Sequence, residues 1–250
     1  MSESRIPAQP PAQFPAIERV RHDLKIREVE VARIEQLSPG FASITFTGAA
    51  LADFNSLSFD DHVKFMFDSA DGQQVRRDYT PRRFDRQACE VDIEFALHGH
   101  GGAAEWARNA RVGAKAIIGG PRGSMILPLV MDWHLLIGDA SALPAVTRRL
   151  EELPPAARAQ VVLLVDAADR REFVTQANAD IHWVASNEEL LQVLKDLPLQ
   201  GGAGLAWGGG EASLMAQVRQ LLADKGLPRQ AGRISAYWKR GVADHHEHLD

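Results

Sequence analysis

Two textures of apolar and polar positions divide the chain near Pro128–Asp132. From Leu24 to Gly119 the apolar residues fall in short runs, rich in β-branched and aromatic side chains and bounded by turn formers. This pattern predicts strands over Leu24–Ile34, Ala42–Phe46, His62–Phe67, Gln74–Tyr79, Val91–Leu97 and Lys115–Gly119, with one helix at about Ala103–Arg111. Six such runs suggest a small closed antiparallel barrel. Beyond Asp132, buried strands at His134–Ile137, Val161–Val165, Ile181–Val184, Leu205–Trp207 and Arg233–Trp238 alternate with helical patterns at Ala142–Leu153, Arg171–Asn178, Asn187–Lys195 and Ala212–Lys225. That alternation is the mark of a parallel sheet with crossover helices. The expected fold is therefore two-domain, β followed by α/β: an extended proline-rich lead at 1–20, an antiparallel barrel at 21–130, and a doubly wound parallel sheet with a C-terminal tail at 131–250.

Composition narrows the chemistry. A 250-residue chain with 45% hydrophobic and 24% charged residues is ordinary for a soluble globular protein. The single cysteine, Cys89, excludes an intrachain disulfide framework, a cysteine-rich zinc site and a protein-held iron–sulfur cluster. Redox chemistry must then come from a bound cofactor. A net charge of -5 argues against general attraction to nucleic acid or anionic membrane, so an anionic substrate needs a local basic pocket. The polar segment Ser2–Pro15 and the lack of roughly 18 uninterrupted apolar residues predict a cytoplasmic protein. The tail Asp244–Asp250 carries imidazoles and carboxylates but no scaffold, and is read as solvated rather than as a metal site.

Two segments concentrate the chemistry. In Arg77-Asp78-Tyr79-Thr80-Pro81-Arg82, alternation along a strand sends Arg77 and Tyr79 to one side, a cation for a phosphate beside an aromatic for a ring, and Pro81 breaks the strand. In His98-Gly99-His100-Gly101-Gly102-Ala103-Ala104-Glu105-Trp106, glycines allow close backbone approach and lead into a helix whose free N–H groups suit a pyrophosphate. Together they suit a flavin. Seen alone, each would be an edge strand or an ordinary turn. Farther on, Gly138 directly follows a predicted parallel strand and Ser141 can cap the next helix, which places this loop where open α/β sheets bind ligands. Trp207–Glu211 repeats that geometry on a later strand.

These segments resemble the siderophore-interacting proteins, flavin-dependent ferric-siderophore reductases of the ferredoxin-reductase-like superfamily. The likeness continues through Asp61-His62-Val63-Lys64, Gly119-Gly120-Pro121-Arg122-Gly123-Ser124, Gly138–Ala145, Trp207-Gly208-Gly209-Gly210-Glu211-Ala212 and Tyr237-Trp238-Lys239-Arg240-Gly241, in order and over nearly the whole chain. One departure is Gly102, where the family usually has proline at the first helical turn. The resemblance implies FAD in the barrel, with Arg77 at a phosphate, Tyr79 against the ring or ribityl chain and Thr80 near the ring. His98, Gly101, Gly102, Ala103 and Ala104 line the phosphates, while Gly120 and Ser124 close over the flavin from a loop. Trp106 is either a cofactor wall or core.

For NADPH or NADH, the resemblance implies Gly138, Asp139, Ser141, Ala142, Trp207, Gly209, Gly210 and Glu211, with Tyr237 and Trp238 packing against flavin or finishing the sheet. At the adenosine end, Asp166 could accept from a ribose hydroxyl, and Arg170 and Arg171 could instead neutralise the extra phosphate of NADPH. Ferric siderophores are usually anionic, which selects Lys64, Lys239 and Arg240 as substrate contacts, with Arg122 a lesser candidate. No side chain is needed as a nucleophile or general base, and no protein-bound metal is expected. A flavin reductase, a ferredoxin-linked reductase or a non-catalytic siderophore carrier are the rival readings. A monomer is the working expectation.

Overall fold

The computed structural model describes residues 16–69, 72–98 and 102–241 and the short strand Glu247–His248. The first half supplies β1 (Glu18–Arg21), β2 (Ile26–Ser38), β3 (Phe41–Thr47), β4 (Val63–Asp68), β5 (Gln74–Tyr79), β6 (Pro81–Asp85), β7 (Glu90–Ala96), helix α1 (Gly102–Asn109), β8 (Lys115–Gly119) and β9 (Gly123–Ile126). Seven of these strands form one antiparallel sheet in the order β5-β4-β8-β2-β3-β7-β6, and β1 pairs with β9 in a separate ribbon. The two edges of that sheet, β5 and β6, are consecutive in the chain with only Thr80 between them. The sheet must therefore curl until its edges meet, and the barrel's seam lies at Thr80. Alternating Val29 and Val31, Ile44 and Phe46, Phe65 and Phe67, and Ile93 and Phe95 fill the interior, each side chain contributing about 1.5–3 kcal/mol by burial.

Pro81 both ends β5 and begins β6, where it stands opposite Ile93. The sequence reading treated it only as a breaker and missed β6. A proline is tolerated at the first residue of an edge strand, where its missing N–H removes no ladder bond. Strands β1 and β9 were missed as well, each being only four residues long.

The second half contributes β10 (Trp133–Asp139), α2 (Leu143–Glu152), β11 (Arg158–Leu164), β12 (Asn178–Val184), α3 (Asn187–Asp196), β13 (Gly204–Glu211), α4 (Ala212–Asp224), β14 (Gly232–Trp238) and β15 (Glu247–His248). The sheet order is β12-β11-β10-β13-β14-β15, parallel except for the last pairing. Helix α2 packs on the face toward the barrel, in a cluster with Phe41 and Phe59, whereas α3 and α4 cover the other face. This is an antiparallel barrel followed by a doubly wound parallel sheet. The order reverses between β10 and β13, so a crevice opens at their carboxyl ends.

The helix expected over Arg171–Asn178 is absent. A short 3-10 turn at Ala167–Asp169 is followed by extended chain that enters β12 at Asn178. Tertiary contacts override helical propensity there: Arg171 donates to Glu94 at 2.8 Å, Phe173 stacks on Trp183 with centroids 5.5 Å apart, and the Thr175 hydroxyl donates to the Leu150 carbonyl at 2.6 Å. No helix among the described residues is long and apolar enough to cross a membrane.

Candidate functional site

The site lies between the barrel seam and the crevice. On β5, Tyr79 packs against Phe65 and Phe95, with centroids 5.8 and 4.5 Å away. Burial, opposed by Arg77, pushes its phenol well above the ordinary value, so the ring stays neutral. Arg77 is half-buried and donates to the Arg76 carbonyl at 2.6 Å, and Thr80 is buried at the seam. Asp78 faces the other way. It takes Lys64 at 2.7 Å, while its Oδ1 is buried with no partner among the described residues.

His98 stands at the head of the strand-to-helix segment, and α1 opens on Gly102 with Ala103 and Ala104 buried behind it. Gly101 lies outside the described residues. A Cβ at Gly102 would approach nothing closer than Phe67, at 3.8 Å. Trp106 resolves toward the core: it stacks on Phe46 at 6.0 Å and meets Phe65 edge-on at 4.8 Å. Gly120 sits at φ 91°, a backbone conformation that suits glycine, and its carbonyl accepts from buried Arg27 at 3.0 Å.

Ser124 stands in strand β9 rather than in a loop. Its hydroxyl donates to Asp61 at 2.6 Å, accepts from the Leu57 N–H at 3.1 Å and lies 2.8 Å from His22 Nε2. Its hydroxyl is therefore engaged by protein groups, and its place in a strand differs from the loop that the sequence predicts. Burial raises the Asp61 carboxyl, and Ser124, Ser58 and Ser56 offset part of that rise.

At the crevice one carboxylate gathers the loops. Asp139, buried at the end of β10, accepts from the Ser141 N–H at 2.9 Å, the Ser141 hydroxyl at 2.5 Å, the Glu211 N–H at 2.8 Å and Trp238 Nε1 at 2.8 Å. Burial raises its pKa, and these neutral donors pull back only part of the rise. Ser141 was expected to cap the next helix. Asp139 instead caps the 3-10 turn Ala140–Ala142, and α2 starts without a side-chain cap. Asp139 thus organises the loops of the crevice.

Close packing explains the glycines. A Cβ at Gly138 would come within 2.8 Å of the Gly209 carbonyl, one at Gly209 within 2.9 Å of the Tyr237 ring, and one at Gly210 within 2.8 Å of Asp139. Glu211 caps α4, accepting from the N–H groups of Ser213 and Leu214. Burial works to raise its carboxyl, but the Ser213 hydroxyl and the N–H groups of Leu214, Arg240 and Ser213 hold it below the usual range.

Trp207 is fully buried, edge-on to Phe59 at 5.1 Å and within 3.2 Å of Asp60, so it joins the two domains. Ala142 is buried in the same layer. Burial pushes the Tyr237 phenol well above the ordinary value, Asp60, Asp139 and Asp78 reinforce the shift, and Arg233 opposes it. Its ring lies edge-on to Trp207, with centroids 6.2 Å apart, and over Gly209. Lys239 and Arg240 follow Tyr237, exposed, at the end of β14.

The adenosine candidates divide. Asp166 and Arg170 are exposed at the end of β11, but Arg171 is committed to Glu94 and lies 5.2 Å over the Phe41 ring. Sequence reasoning missed the buried Arg82, Glu94, Arg148 and Asp169 around the seam and their half-buried partner Glu151. Arg82 stood in plain view after Pro81, but nothing local indicates that its partner lies in another domain.

These features fit FAD. The arginine and the small residues at the start of α1 suit phosphates, and the orphaned Asp78 oxygen is an acceptor that a sugar hydroxyl would satisfy. The chain matches the family model described as siderophore-interacting FAD-binding domain over residues 30–76 and 68–125, and the model described as siderophore-interacting protein over residues 131–241. It is 32% identical to the NADPH-dependent ferric-chelate reductase of Escherichia coli (strain K12), across 88% of this chain and 96% of that protein. It is 29% identical to the ferric vibriobactin reductase ViuB of Vibrio cholerae, across 86% and 90%. A siderophore utilization protein from T. fusca superposes with a TM-score of 0.85 at 32% identity, across 92% and 98%. With an FAD-binding barrel, a crevice facing its seam and likeness running through both halves, the chain belongs to the siderophore-interacting protein family.

Proposed function

We propose that this protein is a ferric-siderophore reductase, in which NAD(P)H reduces FAD and electrons pass singly to siderophore-held Fe(III). The observation that carries this reading is the contact of the crevice strand with the barrel half at Trp207, which donates to Asp60 at 3.2 Å and packs edge-on against Phe59, with Tyr237 edge-on to the same indole. A nicotinamide held over the carboxyl ends of β10 and β13 would then lie on the side of the sheet that contacts the barrel half. Bound FAD supplies the conversion of a two-electron donor into single-electron transfers. Segment 21–130 holds it, and segment 131–250 holds the donor.

The chain's own residues bind and orient. Arg77 and the α1 N-terminus neutralise phosphate charge, Tyr79 offers a neutral ring and Thr80 a hydroxyl at the seam. Gly138, Gly209 and Gly210 keep the crevice floor low for the nicotinamide, while Ser141 and Trp238 are fixed there by Asp139. Lys64, Lys239 and Arg240 receive the anionic chelate. The Lys64–Asp78 pair is more than half exposed on the lysine side, so it contributes only about 0–1 kcal/mol and is readily exchanged for substrate charge. Reduction lowers the charge on iron and weakens its hold by hard oxygen donors. The reading places a monomer in the cytoplasm, with NAD(P)H rather than a ferredoxin as donor.

An anaerobic titration of the flavin absorption tests this. NADPH or NADH should bleach the FAD-loaded protein, and a ferric siderophore should restore the colour as Fe(II) appears in a chelator trap. A protein that cannot take up flavin would sink the reading, and a flavin that NAD(P)H does not bleach would transfer the donor role to a protein.

A further inference from the structure

Both segments assigned to the flavin belong to the barrel, but the carboxylates that fix them belong to the parallel-sheet domain. Asp169, just after β11, is 1% exposed. It accepts from the Ser38 hydroxyl and the Gly40 N–H, each at 2.7 Å, and its other oxygen lies 2.7 Å from His98 Nε2. All three partners are barrel residues, and His98 stands at the head of the glycine segment. The fit leaves no room for a side chain at position 40, where a Cβ would fall 2.1 Å from the imidazole and 2.2 Å from the carboxylate.

The seam is held in the same way. Glu151 on α2 takes the guanidinium fork of Arg82 at 2.8 and 2.6 Å, and Arg82 Nε reaches Glu94 at 3.1 Å. Arg148, one turn back on α2, donates to the Pro81 carbonyl at 3.0 Å and to the Ser56 hydroxyl at 2.8 Å. The peptide after Thr80 is therefore gripped from the other domain. Helix α2 begins at the crevice loop and ends at this grip, so one rigid rod, about 15 Å long, joins the two halves of the site.

We propose that Glu151 and Asp169 are positioning residues for the flavin: the parallel-sheet domain sets the spacing between the Thr80 seam and the His98 segment, and FAD affinity and reduction potential depend on two carboxylates that do not touch FAD. This rests on the assignment of those two segments to the flavin. Glu151 is half-buried and Asp169 buried, and removing either acceptor leaves its donors, Arg82 at Glu151 and Ser38, Gly40 and His98 at Asp169, without their partner. A small displacement of either segment is then felt by the ligand between them.

The test uses full-length Glu151→Gln and Asp169→Asn, with Leu190→Ala as a control that destabilises the far face of the sheet at α3. FAD Kd is read by fluorescence titration of the apoprotein, reduction potential by dye equilibration, and Tm by calorimetry. Each carboxamide variant should weaken FAD binding about tenfold, equivalent to about 1.4 kcal/mol, and shift the potential. Leu190→Ala should lower Tm with both quantities unchanged, and Glu151→Asp should recover part of the affinity. Variants that lose Tm like the control yet keep FAD Kd and potential within twofold of wild type would overturn the proposal alone. A wild type that does not take up FAD would overturn the segment assignment and the proposal together.

Discussion

At the crevice, Asp139 draws its donors from its own sheet and the turns beside it, whereas at the seam Glu151 and Asp169 reach into a different domain. Their proton affinities move in opposite directions. Asp139 meets only neutral N–H and O–H dipoles, so burial prevails and its pKa rises. Burial works to raise Glu151 and Asp169 too, but Arg82 and Arg83 prevail at the first, and Ser38, Gly40 and His98 prevail at the second. At the crevice neutral donors hold one loop in shape, whereas across the domains an arginine fork at Glu151 and a set of Ser38, Gly40 and His98 donors at Asp169 hold two domains in register.

The largest effect should come from removing the crevice's organiser. Asp139→Ala leaves four donors without their acceptor, at about 1–3 kcal/mol per buried unpaired group and less than additively, for a total of about 4 kcal/mol. The KM for NAD(P)H should rise more than a hundredfold while FAD Kd stays within twofold of wild type. A parallel loss of FAD would show that the crevice and the seam are one unit, against the contrast drawn here. Stopped-flow reduction and flavin titration on the same preparation measure both.

A smaller effect sharpens the contrast along a single strand. His134, at the opposite end of β10 from Asp139, is buried, with Nδ1 unpartnered among the described residues and Nε2 3.3 Å from the Leu129 carbonyl. Burial, reinforced by Arg149 and opposed by the Leu129 carbonyl, pushes its pKa down to about 4. Because the folded value is depressed, the unfolded chain takes up the proton first as pH falls below about 6.5, and stability is lost down to about 4. The loss reaches about 3 kcal/mol. His134→Leu should flatten that limb of the Tm-against-pH curve. An unchanged slope between pH 6.5 and 4 would assign the limb to other groups.

This contrast also decides what was legible in the sequence. The motif at Arg77–Arg82, the glycine segment, the crevice glycines and most strands and helices rest on local chemistry, and local chemistry repeats along a chain. The gripping pairs do not: Arg82 and Glu151 are 69 residues apart, and Ser38 and Asp169 are 131. Arg148, Glu151 and Glu152 share a helix face by their spacing and read as a solvated stripe until the barrel is laid against it. The missing helix at Arg171–Asn178 has the same cause, since Arg171 and Phe173 take partners that propensity cannot register. Ser124 was misplaced because a four-residue strand paired only with β1 gives too short a pattern to separate from a loop.

The smallest predicted effect separates the two kinds of carboxylate by acid. The depressed values of Glu151 and Asp169 mean that their contribution is complete above the ordinary carboxylate range and is lost as pH falls through their folded values, below that range. Asp139 has the opposite sign: its raised folded value favours the folded state at low pH, and that advantage fades as pH rises through it. Acid should therefore release FAD before it disorders the crevice, with flavin fluorescence rising as pH falls below the ordinary carboxylate range while Trp238 emission holds. Asp169→Asn has no charge to lose at its half of the grip, so its FAD affinity, already weakened about tenfold, should fall less steeply with acid than wild type. Equal slopes would assign acid release to groups other than the grip, and would leave Asp169 a strut between domains with no hold on the flavin.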